Sequence, residues 1–293
     1  MIGSALIVGA GGQLGRGLVQ SAPAGATVMA LSRTELDITD ETAVATAVRG
    51  LRPAVVFNAA AYTQVDAAEQ DPLGAARVNA LGVRYLARAC ARSGARLVHV
   101  STDYVFDGAG NVPYAADAIP QPINVYGATK LEGEVAVREE LGERGLVCRT
   151  SWLYAGDGHN FLTRMLTLMR ERPALNIVVD QIGVPTTVDS LAEVLWRLAG
   201  EELAGIHHWC GSGIASWYDF AVAIAEEGAA RGMIGSKPRL RPIGSAEYPT
   251  PAQRPRYSVL DKRVTENVLG IESPHWRDGL RAVLDRHASG AAS

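Results

Sequence analysis

The chain has 293 residues, 47% hydrophobic and 20% charged, with a net charge of −3. That length suits one large domain or two linked ones, and the weakly acidic balance gives no electrostatic case for nucleic acid or an anionic membrane as partner. Three scattered cysteines, Cys90, Cys148 and Cys210, lack C-x-x-C spacing and fit a reducing, cytoplasmic setting. No basic and apolar leader opens the chain, and no apolar run approaches ~18 residues, so neither a signal peptide nor a membrane span is expected.

SALIVGA (4–10) reads as a strand buried on both faces. GGQLGRGLVQSA (11–22) then reads as a turn into a helix. It sets Gly9, Gly12 and Gly15 at G-x-x-G-x-x-G spacing, flanking Gln13 and Leu14. Glycines there let the backbone approach a pyrophosphate at the helix N-terminus. After a buried strand this is a strong dinucleotide signal. ATVMAL (26–31) is the second strand. An NAD site usually carries an acid about 20 residues beyond the glycines, and Ser32 and Arg33 stand there instead. Arg33 can take the 2′-phosphate of NADPH, with Asp37 and Ile38 lining the adenine, so NADPH is expected, with NADH usable.

TDETAVATAVRG (39–50) reads as a helix capped by Thr39 or Asp40 and closed by Gly50. PAVVFNAA (53–60) is a third strand. DPLGAARVNALGVRYLARACARSG (71–94) is a long helix with Pro72 early and Gly94 past its end. ARLVHVSTD (95–103) is a fourth strand, whose C-terminal end presents Ser101, Thr102 and Asp103 to the crevice. One of these hydroxyls is expected to hydrogen-bond a substrate carbonyl.

NVYGATKLEGEVAVREELG (124–142) is a helix that holds Tyr126 and Lys130 at i and i+4, on one face. Lysine occurs only three times in the chain, against nine tyrosines, so a chance Tyr-x-x-x-Lys is expected roughly 0.1 times. A buried ammonium beside a phenol favours the phenolate and should draw its pKa down. Such a tyrosine can pass a proton to a nascent alkoxide. GLVCRTSWLY (145–154) reads as a fifth strand.

Strands and helices alternate to about residue 155, which predicts an α/β fold with a doubly wound, Rossmann-like parallel sheet. Residues 1–155 form the expected NAD(P)-binding domain, sharing elements from about 174–200, and 156–293 mostly a smaller mixed substrate lobe. There NFLTRMLTLMRE (160–171), TVDSLAEVLWRLAG (187–200) and SWYDFAVAIAEEGAARG (216–232) read as helices, the last with Ser216 and Asp219 as a capping box. ALNIVV (174–179) and GIHHWC (205–210) read as strands. The Pro-rich RLRPIGSAEYPTPAQRPRYSVLD (239–261) reads as an irregular loop over a site or seam. The tail ASGAAS reads as frayed.

The glycine turn, NAAA (58–61), VNALG (78–82) and Y-x-x-x-K together resemble extended short-chain dehydrogenases/reductases acting on nucleotide sugars. NAAAYTQVDAAE (58–69), ARLVHVSTDYVFDG (95–108), NVYGATKLEGE (124–134), RTSWLY (149–154) and DQIGVPT (180–186) narrow the resemblance to the dTDP-4-dehydrorhamnose reductase family, over about residues 4–285. The resemblance implies a Thr102–Tyr126–Lys130 triad. It also implies cofactor contacts from Ala59, Ala60 and Ala61, and an Asn79 supporting a lysine-linked proton relay. Thr63, Val65, Thr102, Tyr104 and Trp152 would surround the sugar, with Arg254 on the substrate side. The implied reaction is NADPH-dependent reduction of the C4 ketone of a dTDP-4-keto-6-deoxy-L-sugar.

Related dehydratases carry Thr-Asp-Glu after the fourth strand. Tyr104 occupies the Glu position and cannot serve as that base, which argues against dehydration. Epimerases keep Tyr-x-x-x-Lys as well. Rival readings are a 4-ketoreductase of an antibiotic deoxysugar pathway and a non-catalytic relative like the regulatory subunit of methionine adenosyltransferase, against which the intact triad weighs. The histidines show no metal-ligand spacing. Some family members bind Mg²⁺ through glutamates at a homodimer interface. Asp189 stands at one such position, a shorter acid that weighs against the metal and against the same dimer.

Overall fold

The computed structural model describes residues 2–288; the end of the expected frayed tail, beyond Ala288, lies outside the described residues. The first half alternates as the buried apolar runs dictate. β1 (Ser4–Val8), α1 (Gln13–Gln20), β2 (Thr27–Leu31), α2 (Glu41–Leu51) and β3 (Val55–Asn58) lead into α3 (Val65–Gln70) and α4 (Pro72–Ala76). A single π-helical stretch, Arg77–Gly82, joins α4 to α5 (Val83–Ser93), and β4 (Arg96–Thr102), α6 (Val125–Leu141) and β5 (Gly145–Thr150) follow. The Asp40 side chain caps α2 by accepting from the Ala43 amide. Gly50 does not close that helix. It lies inside it, and Arg52 ends it at φ 46°, because Pro53 next in sequence disfavours another helical residue.

The second half holds β6 (Leu153–Tyr154), α7 (Phe161–Glu171), β7 (Ala174–Val178), β8 (Ile182–Gly183), β9 (Thr186–Thr187) and α8 (Val188–Gly200). Then come β10 (Gly205–His208), β11 (Ala215–Ser216), α9 (Trp217–Ala230), β12 (Arg239–Ile243), α10 (Arg263–Leu269) and α11 (Trp276–Ala288). The main sheet is wholly parallel, in the order β2-β1-β3-β4-β5-β10. Its order reverses at β1, so the crevice between the C-terminal ends of β1 and β3 is the switch point where such sheets bind ligands. One face is covered by α1 and α8, where Leu14, Leu18, Leu191 and Leu195 pack on Ile7 and Phe57. The other is covered by α2, α5 and α6, through Val44, Val48, Leu86 and Val137.

Four further features depart from the sequence reading. GLVCRTSWLY is not one strand: it breaks at Ser151-Trp152, where Trp152 takes φ 46° and Leu153–Tyr154 moves off to pair with Thr186–Thr187. An unbroken apolar run carries no mark of such a break. Ala174–Val178 does not join the main sheet; it pairs with Arg239–Ile243 in the smaller lobe. Gly205–His208, read as part of that lobe, is instead the edge strand beside β5. The Pro-rich segment opens as a strand, β12, whose Pro242 is tolerated because the two-stranded sheet has only edges. The rest of that segment crosses back to the first lobe, where Asn124 Nδ2 donates to the Gln253 carbonyl (2.8 Å).

Candidate active site

The glycine turn leads straight from β1 into α1. Gly9 sits at φ +80°, and a β-carbon on it would lie 2.6 Å from the Ala60 nitrogen. A β-carbon on Gly15 would come 2.3 Å from the Gly9 oxygen, so Gly15 locks the helix onto the loop rather than facing the crevice. Gly12 caps α1 with no side chain, which leaves the first helical amides open to an anion. This cradle, closed against Ala59–Ala61, fits a dinucleotide pyrophosphate. On one side of it lies a groove of about 240 Å³ lined by Arg33, Asp37, Ile38 and Ala59 to Ala61. On the other lies a cleft of about 470 Å³ that exposes Gln13, Leu14, Thr63, Thr102, Tyr126, Lys130 and Trp152.

At the groove end an acid is present after all, supplied from three residues on. Glu35 turns back to accept from the Ser32 amide (2.8 Å) and hydroxyl (2.6 Å), bonds that hold its carboxyl below the usual range. Ser32 is thereby engaged. Arg33 is 84% exposed along its side chain and lies 3.8 Å from Asp37, so its charge is largely free to meet a phosphate.

At the cleft end Thr102, Asp103 and Lys130 are buried and Tyr126 is half-buried. Asn124 caps α6 and sets Tyr126 in its first turn, with Lys130 one turn on. Lys130 Nζ donates to the Val100 carbonyl at 2.6 Å, and burial pushes its pKa down to about 8, against the opposing charge of Glu134. The expectation that this ammonium lowers the phenol is overturned. Burial dominates and pushes Tyr126 up to about 12, with the Thr102 hydroxyl pulling it down and the Asp103 charge raising it further. Tyr126 is thus held as a neutral phenol, the form that can give a proton. The Thr102 hydroxyl donates to Asp103 Oδ1 (3.0 Å), and burial raises the Asp103 carboxyl to about 6.

Asn79 is buried in the π-helical stretch. Its side chain does not reach Lys130. It accepts from the Tyr62 amide (2.8 Å) and donates to the Tyr62 carbonyl (3.1 Å) and the Thr129 hydroxyl (3.2 Å), fixing the loop that follows β3. Val65, Tyr104 and Arg254 are not among the residues that line this cleft. Tyr104 meets Tyr126 edge-on, at 5.8 Å between ring centres. The Arg254 guanidinium is taken by Asp66, at 3.0 and 2.7 Å, which ties the Pro-rich strap to α3. Trp152 does line the cleft, and its other face stacks on Trp217 at 3.6 Å.

Sequence reasoning missed the loop that closes the cleft from the second lobe. Gln13 donates to the His159 carbonyl (3.1 Å) and accepts from Asn160 (2.7 Å), while Arg16 pairs with Asp157 at 2.9 Å. Partners more than 140 residues apart leave no local signal. Trp217 was missed for the same reason, being read only as part of a helix opened by a capping box. Among the described residues no cluster of three or more His, Cys, Asp or Glu is placed to hold a metal. Asp189 is paired with Arg286.

A parallel sheet with a glycine cradle at its switch point, and a threonine, a phenol and an ammonium gathered beside it, defines a dinucleotide-dependent oxidoreductase of the extended short-chain type. The family model described as RmlD substrate binding domain matches residues 3–289. The chain belongs to the dTDP-4-dehydrorhamnose reductase family. It is 41% identical to a dTDP-4-dehydrorhamnose reductase of Aggregatibacter actinomycetemcomitans over 286 residues, 95% of this chain and 97% of that one. Among solved structures, an enzyme of the same name from Clostridium acetobutylicum superposes with a TM-score of 0.91 at 38% identity, covering 96% of this chain and 98% of that one. One from Bacillus anthracis, in complex with NADP, gives a TM-score of 0.92 at 35% identity, covering 98% and 100%.

Proposed function

We propose that this protein reduces the C4 ketone of dTDP-4-dehydrorhamnose to dTDP-L-rhamnose, using NADPH, in the cytoplasm. The observation that carries the reading is that Thr102, Tyr126 and Lys130 line one cleft at the end of β4, continuous with the glycine cradle. NADPH would lie along that cradle, held by Gly9, Gly12, Gln13, Leu14 and Ala59 to Ala61, with Ser32, Arg33, Asp37 and Ile38 around its adenosine end. When bound, it supplies the hydride. The residues do the rest. Thr102, whose hydroxyl hydrogen turns from Asp103 to the substrate, donates a hydrogen bond to the carbonyl oxygen and orients it. Tyr126 gives that oxygen its proton, as a general acid must in neutral form. Lys130 places a positive charge where negative charge develops on the oxygen, in a buried site that strengthens the attraction. Thr63 and Trp152 bound the sugar, while Tyr104 and Arg254 support it from behind.

We read the labour as divided. Residues 1–155 with α8 and β10 hold the cofactor, and the smaller lobe with its strap holds the sugar nucleotide. The bound NADP of the Bacillus anthracis relative supports the cofactor choice. The test is NADPH oxidation on adding the dTDP-4-keto-6-deoxy-L-sugar, with the product identified by NMR. One mole of dTDP-L-rhamnose per mole of NADPH is expected. No oxidation, or a product of the other C4 configuration, overturns the proposal.

A further inference from the structure

Glu134 stands one helical turn beyond Lys130, as Lys130 stands one turn beyond Tyr126, so the three share a face of α6. That face meets three consecutive residues of β4. Thr102 faces Tyr126, the Val100 carbonyl accepts from Lys130, and the Ser101 hydroxyl donates to Glu134 Oε1 at 2.5 Å. From β5, Arg149 grips the same carboxylate twice, Nε to Oε1 at 2.9 Å and the guanidinium end to Oε2 at 2.6 Å. The pair is 1% and 4% exposed. Burying two ions for each other yields little net stability, and apolar residues of the same volume generally do as well or better. Stability therefore does not account for this pair, whereas its position does.

We infer that Glu134, clamped by Arg149 and Ser101, is a positioning residue for the reaction: it keeps the Lys130 ammonium charged in place and fixes the end of β4 that carries Thr102. The inference takes its reaction from the reductase reading above, while the charge of Lys130 is independent of it. The groups around Lys130 are few. Tyr126 and Glu134 come from its own helix, His99 and Asp103 from β4 and its end, and Arg149 from β5, while the π-helical stretch packs against α6 through the neutral Asn79. Glu69 of α3 accepts from the Val125 amide at the start of α6, and Arg84 and Arg88 of α5 pair with Glu139 and Glu140 near its far end. His99 is held neutral by burial and by Lys130 itself. His208, beyond Arg149, is pushed down to about 3 by burial and by that guanidinium. Glu134 is thus the negative charge that offsets burial of the ammonium, which otherwise drives Lys130 toward its neutral form.

Glu134→Gln keeps the shape and removes the charge. The alkaline limb of kcat should move to lower pH by about one to three units, the effect of losing a neighbouring opposite charge. Activity lost near neutral pH should return on acidification, with NADPH affinity unchanged below the limb. A purely structural role would lower activity equally at every pH. Because Glu134→Gln leaves Arg149 buried without its counter-charge, the double variant Glu134→Leu/Arg149→Met, apolar throughout, keeps the test open if the single one does not fold, and the same shifted limb is expected. The chain has three lysines, Lys130, Lys237 and Lys262. Nitrogen-15 lysine labelling therefore follows Lys130 directly by NMR, without substrate. A folded variant in which Lys130 titrates where it does in the wild type overturns the inference. A wild-type protein that does not reduce the ketone overturns the functional reading alone.

Discussion

The two ends of the cofactor crevice are built on opposite principles. At the reacting end Thr102 and Lys130 are buried and bonded, to Asp103 and to the Val100 carbonyl, as Glu134 is to Ser101 and Arg149. At the adenosine end Ser32, Arg33 and Glu35 stand at or near the surface, in a short turn after β2. Chemistry needs fixed distances and shifted pKa values, which burial supplies. Choosing between two cofactors that differ by one phosphate needs only a charge the phosphate can reach, and solvent weakens that choice. Mutations at the first end should therefore act strongly and on rate, those at the second weakly and on affinity.

Tyr126→Phe should show the largest effect. Turnover should fall about 10²-fold or more, the range of general acid catalysis, with NADPH binding unchanged. Near-normal turnover would break the comparison at its centre. Lys130→Met should fall nearly as far in rate yet not in stability. A lysine with a folded pKa near 8 binds fewer protons folded than unfolded at higher pH, so it costs stability at neutral pH, and that cost fades as pH rises from about 8 toward 10.5. At roughly 3 kcal/mol as an upper figure, the cost should leave the variant's melting temperature at or above wild type near pH 7, with the gap closing in alkali. A variant that melts lower at neutral pH would show that the bond to Val100 matters more than the charge.

Trp152→Ala sharpens the boundary between the ends and the second lobe. The ring is half-buried, so stability should drop about 2 kcal/mol, below the ~3–5 kcal/mol of a fully buried aromatic. KM for the sugar nucleotide should rise, because one face stacks on Trp217 and the same residue lines the cleft. If only melting temperature moves, the ring seals the seam and nothing more. Arg33→Ala should raise the NADPH dissociation constant about 10-fold and leave NADH alone. That is the low end for charge-assisted bonds to phosphate, set by exposure. The smallest effect belongs to Glu35→Gln. Relieving the carboxylate held against Ser32 should shift preference toward NADPH by about 2- to 5-fold, the scale of an exposed charge interaction. A shift toward NADH would mean that Glu35 helps hold the phosphate site together.

Much of the reacting end was legible because its signals are local. Tyr126 and Lys130 are one helical turn apart, and Thr102 ends a buried strand. Gly9, Gly12 and Gly15 lie within seven residues of chain. Glu35 was not legible, because nothing in SRTEL says that the third residue on folds back onto the first. Nor was the direction of the Tyr126 pKa. Proximity in sequence suggested an ammonium beside a phenol, while in the fold that ammonium donates to the Val100 carbonyl and burial governs the phenol.

By itself the sequence determined the alternation of strand and helix, since runs such as ALIV and VVF can only be buried, and the glycine turn that makes the cradle. Only the tertiary structure decided that Gly205–His208 completes the main sheet while Ala174–Val178 leaves it. A short strand fits either sheet, and its partner is chosen by which helices cover it. Tertiary structure likewise brought Arg149 to Glu134, Trp217 to Trp152 and Asn160 to Gln13. The last two pairs depend on how the lobes close on one another and the first on how β5 packs against α6, and no periodicity along the chain encodes either.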